Sequence, residues 1–306
     1  MMNFEIDRPI NQQIALPLSF GVELFMKRED QIHPHVSGNK YRKLKYNLMA
    51  ASHLGYDTLL TFGGAHSNHI AAVAAAGRLL GFKTIGVIRG EELKDAALHG
   101  ETLRFAENQG MSFKFVSRSH YREKTSKEFM GSLEEEFGSF YLIPEGGTND
   151  LAIKGCEEIL TKADKIFDFI CCPVGTGGTV SGLVNCSQPS QQILGFPALK
   201  GSFLHEDISK FVNKSNWTLI KGYDFGGYAK INAELIAFLN RFKKYNQTLL
   251  DPIYTGKMMF GILELIKKGF FPKGSRILAI HTGGLQGITE MNKKLKQKNQ
   301  PIIDIT

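Results

Sequence analysis

The sequence predicts an α/β protein in which parallel sheets are flanked by helices. From about residue 57 onward, short runs rich in β-branched residues alternate with longer amphipathic segments, which is the pattern of consecutive βαβ units. Several short runs, such as 169–174, are almost continuously apolar, as strands are when helices cover both faces of a sheet. The fold-class prediction rests on these two observations.

This pattern yields eight candidate strands and four candidate helices. The predicted strands cover residues 57–62, 83–88, 112–116, 140–143, 167–173, 192–196, 218–222 and 276–281. The segments typical of helices cover residues 71–80, 93–108, 231–242 and 257–267. Eight such strands could form one barrel or two open sheets, and the chain length does not decide between them.

Length and composition set further limits. The 306 residues suffice for one large or two ordinary domains, and 42% hydrophobic with 22% charged residues is the balance of a folded protein. This balance excludes a mainly disordered, collagen-like or disulfide-stapled chain. The stretch 71–76 of small apolar residues is far too short to cross a bilayer, and residues 1–30 lack a signal-peptide pattern. We therefore expect a cytoplasmic protein without a membrane partner.

The formal net charge of +7 could attract nucleic acid. However, the densest basic run, 293–298, is interpreted as the solvated face of a terminal helix, because no recognition helix or aromatic-interleaved strand accompanies it. No nucleic-acid partner is therefore expected. The cysteines lack the CxxC spacing of a zinc site and are interpreted as reduced thiols of a cytosolic protein, so no metal is expected. They are Cys156, Cys171, Cys172 and Cys186.

Four turns are unusually rich in glycine and small polar residues. They cover residues 63–69, 145–149, 175–179 and 281–284. In parallel α/β folds, ligands bind beyond the carboxyl ends of the strands, where the chain turns into a helix. We therefore expect these turns to converge on one cleft.

The turn 175–179 follows an apolar strand and opens a helix, so its backbone amides could hold an anion. A dinucleotide fingerprint would need Gly or Ala where Val180 stands and an acidic residue after the next strand, and neither is present. The Lys-Ser or Lys-Thr pair of a nucleotide-triphosphate loop is also absent. The turn therefore suits a single phosphate, and a tight turn without a ligand is the alternative.

Two other motifs each have a simple structural explanation. The polar residues 66–69 begin a helix, but capping accounts for only one of them, and the exposed amides there would bind a carboxylate well. The segment 37–45 is basic, which an exposed helix start would explain. Lys40, directly behind Gly-Asn, is the feature that favours a functional role.

Five segments together resemble a known family. In chain order they are SGNKYRK (37–43), SNH (67–69), GTGGT (175–179), DPIYTGK (251–257) and HTGG (281–284). This set is similar to the pyridoxal-phosphate enzymes of the 1-aminocyclopropane-1-carboxylate (ACC) deaminase and D-cysteine desulfhydrase family. The resemblance covers nearly the whole chain. It implies the tryptophan-synthase-β-like fold, with two open, mostly parallel sheets and the cofactor between a large domain (1–44 plus 152–306) and a small domain (45–151).

The resemblance also implies which residues bind pyridoxal 5'-phosphate. Lys40 corresponds to the lysine that binds the cofactor aldehyde covalently, Lys43 to a phosphate-contacting lysine, and Asn68 to the partner of the phenolic oxygen. The implied phosphate cup and further cofactor contacts are Gly175, Thr176, Gly177, Gly178, Thr179, Thr255 and Thr282.

The same resemblance implies a site for a small amino-acid substrate. Ser67, Asn68 and His69 would hold its carboxylate. Tyr254 and Tyr228 correspond to active-site tyrosines, and with Lys40 and Ser67 they are the expected catalytic residues. The family habit also implies a homodimer.

Two departures bear on the substrate. The deaminases have a glutamate where Thr255 stands, and a carboxylate there would keep the pyridine nitrogen protonated and strengthen the electron sink. They also tend to have glutamine at the position of His69. Both differences favour elimination of a thiol over opening of a cyclopropane. In addition, Tyr228 lacks the Gly and Pro that usually follow it.

The resemblance therefore predicts a D-cysteine desulfhydrase-like lyase that forms pyruvate, ammonia and hydrogen sulfide. The first alternative is ACC deamination, which forms 2-oxobutyrate and ammonia. The alternative of another class is a pyridoxal-phosphate-binding protein without turnover.

Overall fold

The computed structural model describes residues 6–16, 20–95, 99–201 and 203–306. In these residues the strands form one six-stranded sheet, β1-β2-β10-β7-β8-β9, and one four-stranded sheet, β5-β4-β3-β6. Every neighbouring pair is parallel except β1 with β2. The strands are β1 Asn11–Gln13, β2 Glu23–Lys27, β3 Thr58–Gly64, β4 Lys83–Arg89, β5 Met111–Val116, β6 Tyr141–Ile143, β7 Phe169–Val174, β8 Gln192–Pro197, β9 Trp217–Leu219 and β10 Arg276–Ile280.

Helices follow most of the strands, and several begin at a polar residue that caps them. Ser67 accepts a hydrogen bond from the Ile70 amide, and Asn149 accepts one from the Ala152 amide. The helices are α1 Asn39–His53, α2 Asn68–Leu80, α3 Glu101–Asn108, α4 Arg118–Arg122, α5 Lys127–Phe137, α6 Asp150–Cys156, α7 Gly178–Cys186, α8 Phe203–Ser209, α9 Ala233–Asn246, α10 Thr255–Lys267 and α11 Gly287–Gln297.

The predicted α/β class with two open, mostly parallel sheets is confirmed. The eight predicted strands correspond to β3–β10, with ends that differ by at most three residues. Strands β1 and β2 were not predicted. The single helix predicted over 93–108 is wrong: α3 begins only at Glu101, after the non-helical residues His99 and Gly100, and residues 96–98 lie outside the described chain.

Apolar side chains fill both faces of the large sheet. Leu24 and Met26 of β2 belong to the cluster that α9 and α10 cover, whereas Ile170 and Cys172 of β7 belong to the cluster on the other face, under α7. The small sheet has two clusters of its own, one of which includes the alanine-rich helix α2. The strands are thereby held rigidly, and their carboxyl ends support the loops of the cleft.

None of the helices in the described residues is long and apolar enough to span a membrane. Three of the four cysteines are fully buried, and all four are free thiols. Burial raises the pKa of the Cys156 thiol to about 11, so this thiol is protonated at neutral pH.

Candidate active site

A cleft with about 750 Å³ of unfilled space, partly open to solvent, lies where the loops after β3, β7 and β10 meet the start of α1. The structure brings most of the predicted site residues together on its walls. These are Lys40, Lys43, Ser67, Asn68, His69, Gly175, Thr176, Gly177, Thr179, Tyr228, Tyr254 and Thr282. Of the predicted residues, Gly178 and Thr255 are not part of this lining.

A close backbone contact places Lys40 in the cleft. Gly38 has a φ of +62°, and a Cβ atom on it would lie 2.1 Å from the carbonyl oxygen of Thr282. Only glycine fits there, so the start of α1 packs directly against the HTGG turn. One turn further, the Arg42 guanidinium makes two 2.9 Å bonds to the fully buried Glu29 carboxylate and anchors the helix.

The surroundings of Lys40 favour the neutral, nucleophilic form of its amine. Burial, together with the smaller effect of the nearby Lys43 ammonium, lowers the pKa of Lys40 from 10.5 to about 7. Its Nζ donates a 3.0 Å hydrogen bond to Oδ1 of Asn39, and Nδ2 of Asn39 donates to Thr179 at 2.7 Å. Asn39, which the sequence analysis did not single out, therefore connects the reactive amine to the glycine-rich turn.

The turn after β7 has the form of an anion-binding site. Gly177 is in the left-handed region with a φ of +86°, and α7 begins immediately after it, so the amides at the helix start are available to an anion. A Cβ atom on Gly175 would lie 3.2 Å from the Tyr254 ring, so the turn has no space for a larger residue.

Lys43 supplies positive charge beside this turn. It is 3% exposed, and its Nζ donates to the Gly146 carbonyl at 2.8 Å and to the Thr148 hydroxyl at 2.9 Å. A third, longer contact of 3.3 Å reaches the Thr176 hydroxyl. A buried ammonium, a glycine turn and a helix start thus fit a phosphate, and Lys40 nearby fits an aldehyde. The residues present therefore suit pyridoxal phosphate.

The start of α2 forms the opposite wall. The Oδ1 atom of Asn68 accepts a 2.8 Å hydrogen bond from Gln286, so its Nδ2 group is the part that remains to donate to a ligand. Ser67 caps the helix and also lines the cleft. These residues are consistent with the predicted contacts to the phenolic oxygen and the substrate carboxylate, which stay predictions.

His69 is 2% exposed and electrically neutral. The Thr61 hydroxyl donates to the Ile143 carbonyl at 2.8 Å, so it accepts the 2.9 Å hydrogen bond from Nε2 of His69. Burial and the Lys40 ammonium hold the pKa of His69 well below its usual 6.5. Its Nδ1 has no hydrogen-bond partner among the described residues. The predicted substrate contact from His69 is therefore best supplied by its backbone amide.

The two predicted tyrosines stand next to each other. The ring centroids of Tyr228 and Tyr254 are 6.2 Å apart and their planes meet at 61°. Burial raises the pKa of both hydroxyls, and that of Tyr254 lies well above the usual 10.0. Both groups are protonated at neutral pH and line the cleft, and because their hydroxyls share one hydrogen bond, one O–H remains to donate to a ligand.

Thr255 lies behind the cleft wall and is fully buried. Its hydroxyl donates to Oδ2 of Asp251 at 2.5 Å, and the same carboxylate accepts the amides of Ile253, Tyr254 and Thr255. Thr282, 9% exposed, reaches the cleft instead. The predicted contact between Thr255 and the cofactor thus lacks support in the cleft geometry.

The basic run near the C-terminus does more than face solvent. Lys293 pairs with Glu101 at 2.6 Å, and Lys294 contacts His66 of the cleft at 2.9 Å. With the Gln286–Asn68 bond, these contacts connect α11 and the residues before it to the small-sheet side. No local sequence pattern indicates these pairs, because their partners are about 190 to 230 residues apart along the chain.

Comparisons with known proteins find relatives that match most of this chain. A provisionally named 1-aminocyclopropane-1-carboxylate deaminase of Pyrococcus furiosus is 32% identical over 94% of this chain and 93% of its own length. The bifunctional D-cysteine desulfhydrase/1-aminocyclopropane-1-carboxylate deaminase of Arabidopsis thaliana, a mitochondrial protein, is 29% identical over 92% of this chain and 77% of its own.

Solved structures of similar fold superimpose on most of this chain. The crystal structure of an ACC deaminase homologue superimposes with a TM-score of 0.81 at 28% identity, over 96% of this chain and 94% of that one. O-ureido-L-serine synthase, at 14% identity over 92% of this chain and 91% of its own, shares the fold with a TM-score of 0.67. A family model described as pyridoxal-phosphate dependent enzyme matches residues 4–283. The chain therefore belongs to the family of pyridoxal-phosphate dependent enzymes, and pyridoxal 5'-phosphate is its cofactor.

Proposed function

We propose that this enzyme uses Lys40 to bind pyridoxal phosphate and catalyses β-elimination from a small amino acid, with D-cysteine as the preferred substrate and pyruvate, ammonia and hydrogen sulfide as products. One observation carries the proposal. The Lys40 amine, with its pKa lowered to about 7, lies in the same cleft as an anion-binding turn and two protonated tyrosines. The plant relative whose name includes D-cysteine desulfhydrase supports the substrate class.

The residues of the chain have distinct tasks in this reaction. The bound cofactor withdraws electrons from the substrate carbon that carries the amino group. Lys43 and the amides of 175–179 neutralise the phosphate, and the amides at the start of α2 hold the substrate carboxylate. Lys40, about half neutral at pH 7, takes the proton from the substrate Cα. The tyrosine pair, Tyr228 and Tyr254, donates a hydrogen bond toward the thiol group that leaves the substrate.

ACC deamination is the second candidate, because a specific observation favours it. The sequence argument against it was the missing carboxylate at position 255. However, the buried Asp251 carboxylate bonds directly to the Thr255 hydroxyl and supplies negative charge at this place. The names of the Pyrococcus and plant relatives include the same activity.

A product screen separates the candidates. The purified enzyme, loaded with pyridoxal phosphate, is given D-cysteine, L-cysteine, D-serine, L-serine and ACC in parallel, and the keto acid is identified by mass spectrometry. We expect pyruvate and sulfide from D-cysteine at the highest kcat/KM, and no product from Lys40→Ala. More 2-oxobutyrate from ACC than pyruvate from D-cysteine would establish the second candidate. A protein that holds the cofactor without any turnover would contradict both.

The proposal also covers the domain boundaries, the cellular location and the oligomeric state. The strands of the large sheet lie within 11–27 and 169–280 and those of the small sheet within 58–143, which supports domains of 1–44 plus 152–306 and of 45–151. We also propose a cytoplasmic homodimer. Light scattering coupled to size exclusion measures the mass in solution, and a monomer would contradict the dimer.

A further inference from the structure

Among the residues that the structure describes, the buried Lys257 has no carboxylate partner at hydrogen-bond distance. It stands on α10, three residues after Tyr254, and is 2% exposed. Its Nζ donates 2.8 Å hydrogen bonds to the backbone carbonyls of Asp224 and Gly227. Removing an ammonium from water is costly, so two main-chain acceptors at this distance indicate a specific use for the charge.

The segment that Lys257 holds has an unusual backbone. Phe225, Gly226, Gly227 and Ala229 all have positive φ angles, of 52°, 94°, 112° and 55°. Two of these residues carry side chains, which disfavour this region, so surrounding contacts must stabilise the conformation. We name residues 224–229 the tyrosine turn, because Tyr228 lies within it.

Lys257 joins two successive bends of the tyrosine turn. The Gly227 amide donates to the Asp224 carbonyl at 3.0 Å, and the Lys230 amide donates to the Gly227 carbonyl at 3.2 Å. The Lys257 ammonium binds these same two carbonyl oxygens. Each oxygen therefore accepts two hydrogen bonds, one of them from a charged donor, which is the stronger kind.

The position of Tyr228 depends on this arrangement. Tyr228 lies between two residues with positive φ and is 44% exposed, so core packing does not fix its ring. The ring contact available to it is Tyr254, which directly precedes α10. Tyr254, at the start of α10, thus contacts the ring of Tyr228, and Lys257 on the first turn of the same helix binds the carbonyl of Gly227, the residue before Tyr228.

We propose that Lys257 is a positioning residue: its buried ammonium fixes the tyrosine turn and thereby sets Tyr228 against Tyr254 at the cleft. The structural half of this inference stands without any assumption about the reaction. The effect on turnover rests on the proposed function, in which Tyr228 acts on the substrate.

Hydrogen exchange tests the structural half. In Lys257→Met, the amides of 222–230 should exchange at least ~10-fold faster than in the wild-type enzyme, because opening of the turn no longer breaks two charged hydrogen bonds. Lys27→Met is the matched control. Lys27, on β2, is also buried at 3% exposed, but its ammonium pairs with Asp164 at 2.8 Å and not with the tyrosine turn. Equal protection of 222–230 in the wild type and Lys257→Met would overturn the proposal.

Lys257→Gln covers the case in which Lys257→Met does not fold, since it keeps a hydrogen-bond donor in a shorter side chain. We expect intermediate exchange in 222–230. If neither variant folds, Lys257 supports the whole structure rather than the tyrosine turn, and the proposal is wrong.

A double-mutant cycle tests the catalytic half. Misplacing Tyr228 by about 1 Å should lower kcat/KM by about 10- to 100-fold in Lys257→Met. Because this loss acts through Tyr228, the variant that combines Lys257→Met with Tyr228→Ala should be no slower than Tyr228→Ala alone. Additive losses would contradict the inference. If no substrate is turned over at all, the proposed function fails, and the exchange experiment still decides the role of Lys257.

Discussion

The lowered pKa of Lys40 gives a direct prediction about its reactivity. At pH 7, an amine with a pKa of about 7 is half neutral, whereas one at the usual 10.5 is neutral in roughly one molecule in 3,000. Only the neutral amine attacks an aldehyde. Lys40 of the apoprotein should therefore react with pyridoxal up to ~1,500-fold faster than an exposed lysine at pH 7, an upper bound because a less basic amine is a weaker nucleophile.

Replacing Lys43 should move the pH dependence of this reaction. The rate constant of Lys40 should rise with pH to a plateau, with its midpoint near pH 7 in the wild type. Lys43→Met removes the second cause of the lowered pKa, so its midpoint should lie at higher pH. Lys45→Met is the matched control, because Lys45 is on the same helix and pairs with Glu158 at 2.7 Å.

The assay follows imine absorbance after pyridoxal is added to apoprotein, and borohydride reduction with peptide mass spectrometry confirms that Lys40 is the modified residue. Pyridoxal has no phosphate, so the loss of a phosphate contact in Lys43→Met does not confound the comparison. A wild-type midpoint above pH 9 would refute the reasoning. An equal shift in Lys45→Met and Lys43→Met would refute the role assigned to Lys43.

Two further predictions concern stability. Gly38→Ala should lower the free energy of unfolding by at least ~2 kcal/mol in urea titrations, because a Cβ atom there meets the Thr282 carbonyl at 2.1 Å with φ at +62°. Gly131 lies on α5, and a Cβ atom there would meet no described atom within 4 Å apart from its chain neighbours and the backbone of its own helix. Gly131→Ala should therefore raise the free energy of unfolding by up to ~1 kcal/mol, and equal effects of the two substitutions would contradict the packing argument. Between about pH 7 and 9 Lys40 should add stability to the apoprotein, because its folded-state pKa of about 7 means that the unfolded chain binds more protons there, whereas the raised pKa values of the buried thiols act in the opposite direction. The change in unfolding free energy from pH 7 to 9 should therefore be more positive in the wild type than in Lys40→Met, and an equal change in both would oppose this sign.

The features that the sequence predicted well are those encoded locally. The glycine turns at 63–69, 145–149, 175–179 and 281–284 are predicted to meet in one cleft, and all four contribute to its lining. Glycine is informative in a sequence because a positive φ, as at Gly177, favours it, and a close backbone contact, as at Gly38, leaves no space for a Cβ atom. Apolar runs located strands β3–β10 for a similar reason, since burial on both faces leaves a continuous pattern.

The features that were missed depend on tertiary contacts. Strand β2 was not predicted because its five residues include charged Glu23 and Lys27 at the ends, and Lys27 is buried only because Asp164 lies 2.8 Å away. Likewise, Lys257 ends the DPIYTGK motif, but the sequence does not indicate a role for it, because its carbonyl partners lie 30 and 33 residues earlier in the chain. Such partners follow from the topology, and one sequence does not reveal them.

Thr255 shows how the structure changes an argument from a single residue. The sequence argument compared threonine with glutamate at one position and concluded that negative charge is missing there. In the structure, the Thr255 hydroxyl donates a hydrogen bond to Asp251, whose carboxylate is 1% exposed and also accepts hydrogen bonds from three backbone amides. Negative charge is therefore present beside position 255, although one side chain further from the cleft. Because a charge acts over several ångströms in a buried site, the identity of residue 255 alone does not separate thiol elimination from ring opening. We expect the discrimination to come instead from groups that touch the substrate, and we propose Tyr228 and Tyr254, which line the cleft, for this role.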